Sequence, residues 1–196
     1  VKNIYSGNYD DARSADIIII CAGFAQQPGE TRLELLQKNY SIITNIMECL
    51  EPLRSSTIII MVTNPVDILT RIAQQSTSLK ETQIFGSGTW LDTQRLRNIL
   101  AEQYKTTPKS IDTLIIGEHG DGQCVVWSQT IIDGQLIENI TPDYTKLLNY
   151  AEMVKNRAYA IIEKKCATCY GVASCVAKMC SIIFDNQEIT IPVSTY

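Results

Sequence analysis

The sequence predicts an α/β fold in which a partial parallel sheet is followed by an α+β domain. Residues 16–22 form a run that is apolar on both faces, as in a strand covered by helices on each side. Short apolar runs alternate with amphipathic stretches through the first half, which is typical of parallel strands joined by helical crossovers. This order ends near Ser87-Gly88, and we therefore expect domains at residues 1–88 and 89–196.

The other elements of the first half are predicted from apolar spacing. A helix begins at Arg32 and ends before Pro52, which cannot continue it. Buried strands are predicted at residues 57–62 and 82–87, with a helix over residues 65–76 between them. The apolar positions that define the first helix are Leu33, Leu36, Tyr40, Ile43, Met47 and Leu50.

The second half mixes helices with short strands. A helix is predicted over residues 90–104, and Asp133-Gly134 favours a hairpin turn that leads into a short strand. The remaining predicted elements are strands at 112–116, 125–132 and 188–193, a long helix over 142–165 and a second helix ending near Ser181.

Charge and hydropathy argue against two classes of partner. The net charge is −4, from 17 basic and 21 acidic residues spread along the chain, so no basic stripe is present to bind nucleic acid. The longest apolar runs fall far short of the roughly 20 residues that a membrane helix needs. We therefore expect neither a nucleic acid nor a membrane partner.

Seven cysteines are an odd number in a chain with an ample core, which favours reduced thiols and a cytoplasmic location. Cys166 and Cys169 have the spacing of a redox or zinc motif, but Cys175 and Cys180 are too far apart to complete a four-ligand site. We expect no metal site. A cysteine-based redox protein is an alternative that thiol titration would test.

His119 is the only histidine, and it follows a predicted strand in the segment Gly117-Glu-His-Gly-Asp121. The flanking glycines let the backbone turn sharply, and loops at element ends are where binding and catalytic residues collect. Imidazole exchanges a proton near neutral pH, which suits the reduction of a carbonyl group. His119 is therefore a candidate acid/base, although a single histidine is more often a structural residue.

Three charged residues are candidates to act with His119. Asp92 would hold the imidazole in one tautomer, or it would only favour the dipole at the start of its helix. Arg95 lies three residues later on the same helical face and can bind a substrate carboxylate through two parallel hydrogen bonds. Arg32 follows a loop that can close over a substrate. Asn64, at a predicted strand end, can reach a ligand or be an ordinary loop residue before proline.

Four segments of the chain are distinctive in sequence and in order. They are Cys21-Ala-Gly-Phe-Ala-Gln-Gln-Pro-Gly-Glu-Thr-Arg-Leu33, Val62-Thr-Asn-Pro-Val-Asp-Ile-Leu69, Gly86-Ser-Gly-Thr-Trp-Leu-Asp-Thr-Gln-Arg95 and Ile116-Gly-Glu-His-Gly-Asp121. With them the chain resembles the lactate/malate dehydrogenase family, and its lactate branch in particular, over nearly its whole length. The resemblance implies a partial NAD-binding Rossmann domain, a substrate domain, and interconversion of pyruvate and L-lactate by hydride transfer with NAD(H).

The resemblance also implies a role for each candidate. His119 is implied as the general acid/base, Asp92 as its orienting partner, Arg95 as the carboxylate clamp and Arg32 as the group that polarises the carbonyl. The implied substrate-binding residues are Gln26, Arg32, Asn64, Arg95 and Thr168. The implied cofactor contacts are Tyr9, Gly23, Phe24, Val62, Asn64 and Ser87.

Gln26 decides which substrate the resemblance implies. Malate-type relatives place an arginine at this loop position, where it matches the second carboxylate of oxaloacetate. A neutral glutamine leaves that carboxylate partly unpaired in a closed site, at a cost of about 1–3 kcal/mol. Pyruvate and lactate are therefore the expected substrates, and malate dehydrogenase activity is the alternative.

The chain departs from the family pattern in two places. None of its ten glycines forms a G-x-G-x-x-G turn, so we expect a fragment without the N-terminal glycine-rich unit and the C-terminal tail. An inactive fragment that acts as an interaction module is a further alternative. Arg97 matches relatives that are activated by fructose 1,6-bisphosphate, but Asp112 replaces their histidine and would repel a phosphate, so we expect weak or no activation. The family also suggests a homo-oligomer, either a dimer or a tetramer.

Overall fold

A computed structural model describes residues 3–25, 31–165 and 168–196, with the side chain of Arg32 left out. The chain forms two compact units. The first, Val1–Ser87 together with Ser194–Tyr196, is called the N-terminal unit, and the second, Gly88–Val193, is called the C-terminal unit.

A parallel sheet is the centre of the N-terminal unit. Its strands are β1 (Ile17–Ile20), β2 (Ile58–Met61) and β3 (Ile84–Gly86), in the order β1-β2-β3. Ile18 lies opposite Ile59, and Ile60 lies opposite Phe85, both in parallel register. β-branched isoleucine suits such a pleated and buried surface. Because parallel neighbours need crossover connections, this sheet confirms the predicted fold class.

A short helix precedes the first strand, and longer helices connect the strands. They are α1 (Tyr9–Ala12), α2 (Arg32–Leu50) and α3 (Val66–Gln75). α2 is the crossover from β1 to β2, and it begins with a capping box between Thr31 and Glu34. α2 ends at Leu50, two residues before Pro52, as the sequence predicts.

The buried face of α2 differs from the predicted one. Leu33 and Tyr40 are 64% and 50% exposed, whereas Leu35 and Asn39 are buried together with Ile43. The buried positions Leu35, Asn39 and Ile43 repeat every four residues, but Asn39 is polar. A prediction from apolar residues alone therefore chose the neighbouring face of the helix in its first two turns.

Glu51 ties the end of α2 to the segment after α3. Its carboxylate accepts hydrogen bonds from the Thr77 hydroxyl at 2.6 Å, the Ser78 N–H at 3.0 Å and the Leu53 N–H at 3.1 Å. The Thr77 hydrogen bond is the largest influence on the pKa of the Glu51 carboxyl and lowers it, whereas partial burial raises it. Together with the backbone donors, Thr77 holds the pKa of the Glu51 carboxyl below its ordinary value of 4.5.

We expect Glu51→Gln to lower the free energy of unfolding at neutral pH. Because the folded-state pKa lies below the unfolded value of 4.5, the ionised group stabilises the fold above pH 4.5. This stabilisation is lost as the pH falls through the folded-state pKa, so variant and wild type should converge in acid. Urea unfolding across this pH range measures the difference, with exposed Glu48→Gln on the same helix as control. A deficit that persists unchanged in acid would contradict the assignment.

In its described residues, the C-terminal unit combines four α-helices with two small antiparallel sheets. Its elements are α4 (Trp90–Tyr104), β4 (Ile111–Asp112), β5 (Ile115–Gly117), β6 (Gln123–Val125), β7 (Ile131–Ile132), β8 (Gln135–Leu136), α5 (Ile137–Ile140), α6 (Tyr144–Lys165) and α7 (Tyr170–Phe184). One sheet has the order β4-β7-β8, and the other pairs β5 with β6. Its core includes Leu96, Leu100, Ile115, Ile132 and Val154.

The predicted hairpin is confirmed. β7 and β8 pair antiparallel across Asp133-Gly134, whose φ values are +47° and +81°. Two consecutive residues with positive φ are the signature of a type I′ turn, which an Asp-Gly pair adopts readily.

Two predicted strands are interrupted in the structure. Residues 112–116 belong to two sheets, because the chain leaves β4 at Thr113, whose buried hydroxyl hydrogen-bonds that of Thr130. Within residues 125–132, a 3-10 turn over Trp127–Gln129 separates β6 from β7. Both interruptions depend on tertiary contacts that apolar alternation does not encode.

The predicted strand at residues 188–193 is wrong. In this described segment no strand forms, and the neighbouring Ser194 makes only an isolated antiparallel bridge to Gly86. Pro192 contributes to this result, since it has no N–H to donate to a ladder.

Helix prediction failed mainly where helices are short. α1 and α5 have four residues each, too few to show a helical period, and α7 extends to Phe184 rather than ending near Ser181. α4 has the predicted bounds. None of the helices in the described part of the chain is both long and apolar enough to cross a membrane.

Candidate active site

Helix α4 and strand β5 are fixed to each other at one residue. Thr89 donates its hydroxyl proton to the Ile115 carbonyl at 2.5 Å, and Thr93 accepts the Ile115 N–H at 3.0 Å. All three residues are buried, so these hydrogen bonds are shielded from competing water. The arrangement sets the position of α4, which carries Asp92 and Arg95, relative to the strand that leads to His119.

Gly117 turns the chain from β5 into the loop that carries His119. Its φ is +88°, and a Cβ atom at this position would lie 2.8 Å from the carbonyl oxygen of Gly122. A side chain would therefore meet both backbone strain and a collision. The far end of the loop is held where the Gln123 N–H and side-chain amide donate to the Gly120 carbonyl at 3.3 Å and 3.1 Å.

The Asp92 carboxylate joins His119 and Arg95. Its Oδ2 lies 2.6 Å from His119 Nδ1, and its Oδ1 lies 3.1 Å from Arg95 Nη1. The Asp92 side chain is 3% exposed, compared with 13% for Arg95 and 22% for His119. The structure therefore brings together three of the four residues that the sequence nominates as catalytic.

This geometry assigns different tasks to the two imidazole nitrogens. An ionised carboxylate only accepts hydrogen bonds, so Asp92 fixes a proton on His119 Nδ1. In this tautomer Nε2 is the acceptor nitrogen of the neutral ring. The Arg95 guanidinium and the hydrogen bond with His119 also offset the cost of burying the Asp92 charge.

A cavity of about 870 Å³ lies beside Arg95 within the C-terminal unit. Residues of α4, α6 and α7 line it, and so does half-buried Thr168, which precedes α7. The structure thus brings Thr168 to the same cavity as Arg95, and the volume is in the range of small-molecule sites.

Cys175, on α7, lines this cavity and is 7% exposed. Burial is the main cause that raises the pKa of its thiol from about 9 to about 11. Arg95 opposes this rise in pKa and Asp92 adds to it. Cys175 is therefore a protonated, packed thiol at neutral pH.

We expect Cys175 to be alkylated far more slowly than exposed Cys169. A pKa of about 11 instead of about 9 reduces the thiolate fraction by about 100-fold, and burial slows access further. Iodoacetamide labelling of the native protein, with peptide mapping over time, compares the two sites in one sample. Equal labelling rates would contradict the assignment, and labelling of the unfolded chain controls for intrinsic reactivity.

A second group of predicted residues lies where the strands of the N-terminal unit end. Asn39, fully buried on α2, accepts the Phe24 N–H at 2.8 Å and donates to the carbonyls of Phe24 at 3.2 Å and Asn64 at 2.7 Å. One amide therefore fixes the segments that follow β1 and β2. Sequence reasoning missed Asn39, although a polar residue four positions after Leu35 and four before Ile43 was a usable signal.

Other predicted cofactor residues lie close to these strand ends. A Cβ at Gly23 would lie 2.5 Å from Thr63 Cγ2 and 2.9 Å from Asn39 Oδ1, so the backbone here approaches its neighbours closely. Val62 donates its N–H to Ile20, and Ser87 donates its N–H to Met61, which extends the pairing beyond the strands.

Tyr9, the predicted contact on the adenine side of the cofactor, is 42% exposed. With residues 18–22 it lines a groove of about 380 Å³ in the N-terminal unit. The structure therefore places Tyr9 against β1 and the residues that follow it.

The structure does not describe the side chains of two predicted substrate-binding residues. Gln26 lies outside the described residues, and Arg32 is described as the first residue of α2 without its side chain. Cys166, of the proposed redox pair, also lies outside them, while Cys169 is an exposed free thiol. Within the described ranges, no group of three or more histidine, cysteine, aspartate or glutamate side chains is arranged to hold a metal ion.

Arg97 is on the same helix as Asp92 but has different partners, Asp112 and Trp90. Its Nη2 is 3.5 Å from Asp112 Oδ1, and its guanidinium carbon lies 5.7 Å from the centre of the Trp90 ring. The acidic residue that replaces the histidine of bisphosphate-activated relatives therefore pairs with this arginine.

Comparison with known proteins identifies relatives of both units. Residues 1–86 match the family model described as the lactate/malate dehydrogenase NAD-binding domain, and residues 89–196 match its alpha/beta C-terminal domain. An L-lactate dehydrogenase of Lactococcus lactis subsp. cremoris is 39% identical over 98% of this chain, and one of Bacillus caldolyticus is 41% identical over 99%. The chain spans 63% of the length of each of these relatives.

Solved structures give the same picture. The minor L-lactate dehydrogenase of Enterococcus mundtii, in its ligand-bound form, superposes with a TM-score of 0.91 at 36% identity, over 98% of this chain and 63% of that chain. A lactate dehydrogenase from a Medee basin deep-sea metagenome library gives a TM-score of 0.88 at 32% identity, over 96% of this chain and 62% of that one.

Proposed function

Because the chain belongs to the lactate/malate dehydrogenase family, we propose that it carries the catalytic machinery of an NAD-dependent L-lactate dehydrogenase. The reaction is the interconversion of pyruvate and L-lactate. The observation that carries the proposal is the buried Asp92 carboxylate bound to both His119 and Arg95. Reduction of a 2-oxo acid needs a proton donor at the carbonyl and a cation at the carboxylate, and these two residues supply them.

We assign the cofactor to residues 1–88. The gathered strand ends support this assignment, because ligands of open parallel sheets bind beyond the carboxyl ends of the strands. Gly23, Phe24, Val62, Asn64, Ser87 and Tyr9 are the residues proposed to hold it. When bound, NADH supplies the hydride, and the protein supplies orientation and charge.

We assign the substrate carboxylate and the acid/base to residues 89–196. Arg95 binds the substrate carboxylate, and its ion pair with Asp92 fixes the guanidinium in place. His119 donates the proton from Nε2 to the carbonyl oxygen during reduction and takes it back during oxidation. Arg32 polarises the carbonyl, Asn64 hydrogen-bonds the substrate, and Thr168 lines the pocket.

The test is a comparison of kcat/KM for pyruvate and oxaloacetate in the full gene product, followed by loss of NADH absorbance. We expect a preference for pyruvate, and Gln26→Arg should shift the preference toward oxaloacetate by about tenfold or more, since it pairs the second carboxylate. Gln27→Arg, one residue along, is the matched control for added charge. Absence of any shift in the Gln26 variant would contradict the pocket assignment.

We also propose that fructose 1,6-bisphosphate activates the enzyme weakly or not at all. The supporting observation is the Arg97–Asp112 pair, since a carboxylate beside the arginine repels a phosphate. A titration of activity with the bisphosphate checks this.

We propose a cytoplasmic location. The six described cysteines are all free thiols, as in a reducing compartment.

We also propose that the protein forms a homo-oligomer. Large apolar side chains are exposed on α2 and α6, which favours self-association. They include Leu33, Tyr40, Tyr159 and Ile162. Analytical ultracentrifugation of the gene product would distinguish a monomer from a dimer or a tetramer.

A further inference from the structure

The cavity beside Arg95 carries more positive charge than a single substrate carboxylate requires. Six of the residues that line it are Trp90, Arg95, Arg157, Lys165, Thr168 and Lys178. Four of these are cations, and none of the described residues lining this cavity is an aspartate or a glutamate. Concave walls concentrate the field of such charges and raise the local concentration of anions.

The cations differ in how far their charge is compensated. Arg95 is paired with Asp92. By contrast, Lys165 and Lys178 contact neutral groups. Lys165 Nζ lies 5.8 Å from the centre of the Tyr170 ring, and Lys178 Nζ lies 3.4 Å from Gln187 Oε1. These contacts orient the ammonium groups without cancelling their charge.

We propose that this cavity binds a small anion with two or more acidic groups. One acidic group is held at Arg95, and another is held by Arg157, Lys165 and Lys178 on α6 and α7. The proposal rests on the proposed function only in treating Arg95 as a carboxylate clamp. It adds a second anion subsite whose residues all belong to the C-terminal unit. Gln26 belongs to the N-terminal unit, so the proposal does not depend on the role assigned to Gln26.

The test measures binding of citrate and acetate to the full gene product by isothermal titration calorimetry, without NADH or pyruvate. We expect citrate to bind at least about tenfold more tightly than acetate, because it engages both subsites. The double variant Arg157→Gln/Lys178→Gln should abolish this difference. Lys109→Gln/Lys146→Gln is the matched control, since it removes two exposed cations from the same unit outside the cavity lining.

Several outcomes would overturn the proposal. Citrate that binds no more tightly than acetate, or that is weakened equally by both double variants, leaves only a general charge effect. Inorganic pyrophosphate in a parallel titration distinguishes phosphate-bearing from carboxylate-bearing ligands, and thermal melting confirms that both variants fold. Because no turnover is measured, inactivity toward pyruvate with intact citrate binding would refute the proposed function alone.

Discussion

Replacing His119 with glutamine should lower kcat for pyruvate reduction by about 10²- to 10⁴-fold, the range that loss of a positioned acid/base costs. Glutamine keeps a polar side chain in the loop but cannot deliver a proton at neutral pH. KM for pyruvate should change much less, since the carboxylate clamp at Arg95 is retained. Steady-state kinetics of the full gene product measures both constants.

The control for this variant is Gln129→Glu, an exposed change in the same unit that leaves the Asp92 group intact. Thermal melting of both variants checks that the unit still folds. If the His119→Gln enzyme kept most of its kcat, the acid/base assignment would be wrong, whatever the effect on KM.

Replacing Asp92 with leucine should reduce both stability and activity. Loss of this carboxylate leaves the Arg95 guanidinium without its counter-charge and the His119 Nδ1 without its partner, and breaking a buried ion pair costs about 3–5 kcal/mol. We expect a value near about 3 kcal/mol, the low end of this range, because Arg95 and His119 are 13% and 22% exposed and recover some hydration. Urea unfolding measures the stability change, and kcat/KM measures the catalytic one.

Asp92→Asn separates the two effects. The amide preserves volume and one acceptor oxygen, so the stability loss should be smaller than in the leucine variant. It can also present an N–H to His119 Nδ1 and so favour the wrong tautomer, which should still lower kcat by about 10²-fold or more. An asparagine variant with wild-type kcat would remove Asp92 from the proton-transfer machinery and leave it a structural role.

The sheet of the N-terminal unit was predictable because runs such as Ile17–Ile20 and Ile58–Met61 are apolar at every position, which is typical of parallel strands between helices. The expected burial of β1 on both faces is not met, since Ile19 is 44% exposed. The bounds of α4 were predictable from its helical period. Short elements were not, because β4 and β7 have two residues each and are defined by pairing partners rather than by local pattern.

The sequence predicted that Asp92 and His119 are partners, but it could not show how their side chains come into contact. They lie 27 positions apart in the sequence, and their approach depends on the hydrogen bond that Thr89 donates to Ile115 and the one that Thr93 accepts from it. Threonines on a helix carry no sequence signal for such a role, since their usual partner is a carbonyl of the preceding turn. Asn39 was hidden for a related reason, because its importance lies in two distant backbone segments.

The attachment of Ile115 to α4 has a consequence for turnover. Thr89 and Thr93 bind both the carbonyl and the N–H of Ile115. Strand β5 therefore cannot slide along α4 without breaking two shielded hydrogen bonds at once. If His119 and Asp92 act as proposed, the entropy of aligning them is therefore spent when the unit folds and not in each catalytic cycle. Little reorganisation remains for the chemical step, which is the condition under which fixed charges are most effective in lowering a barrier.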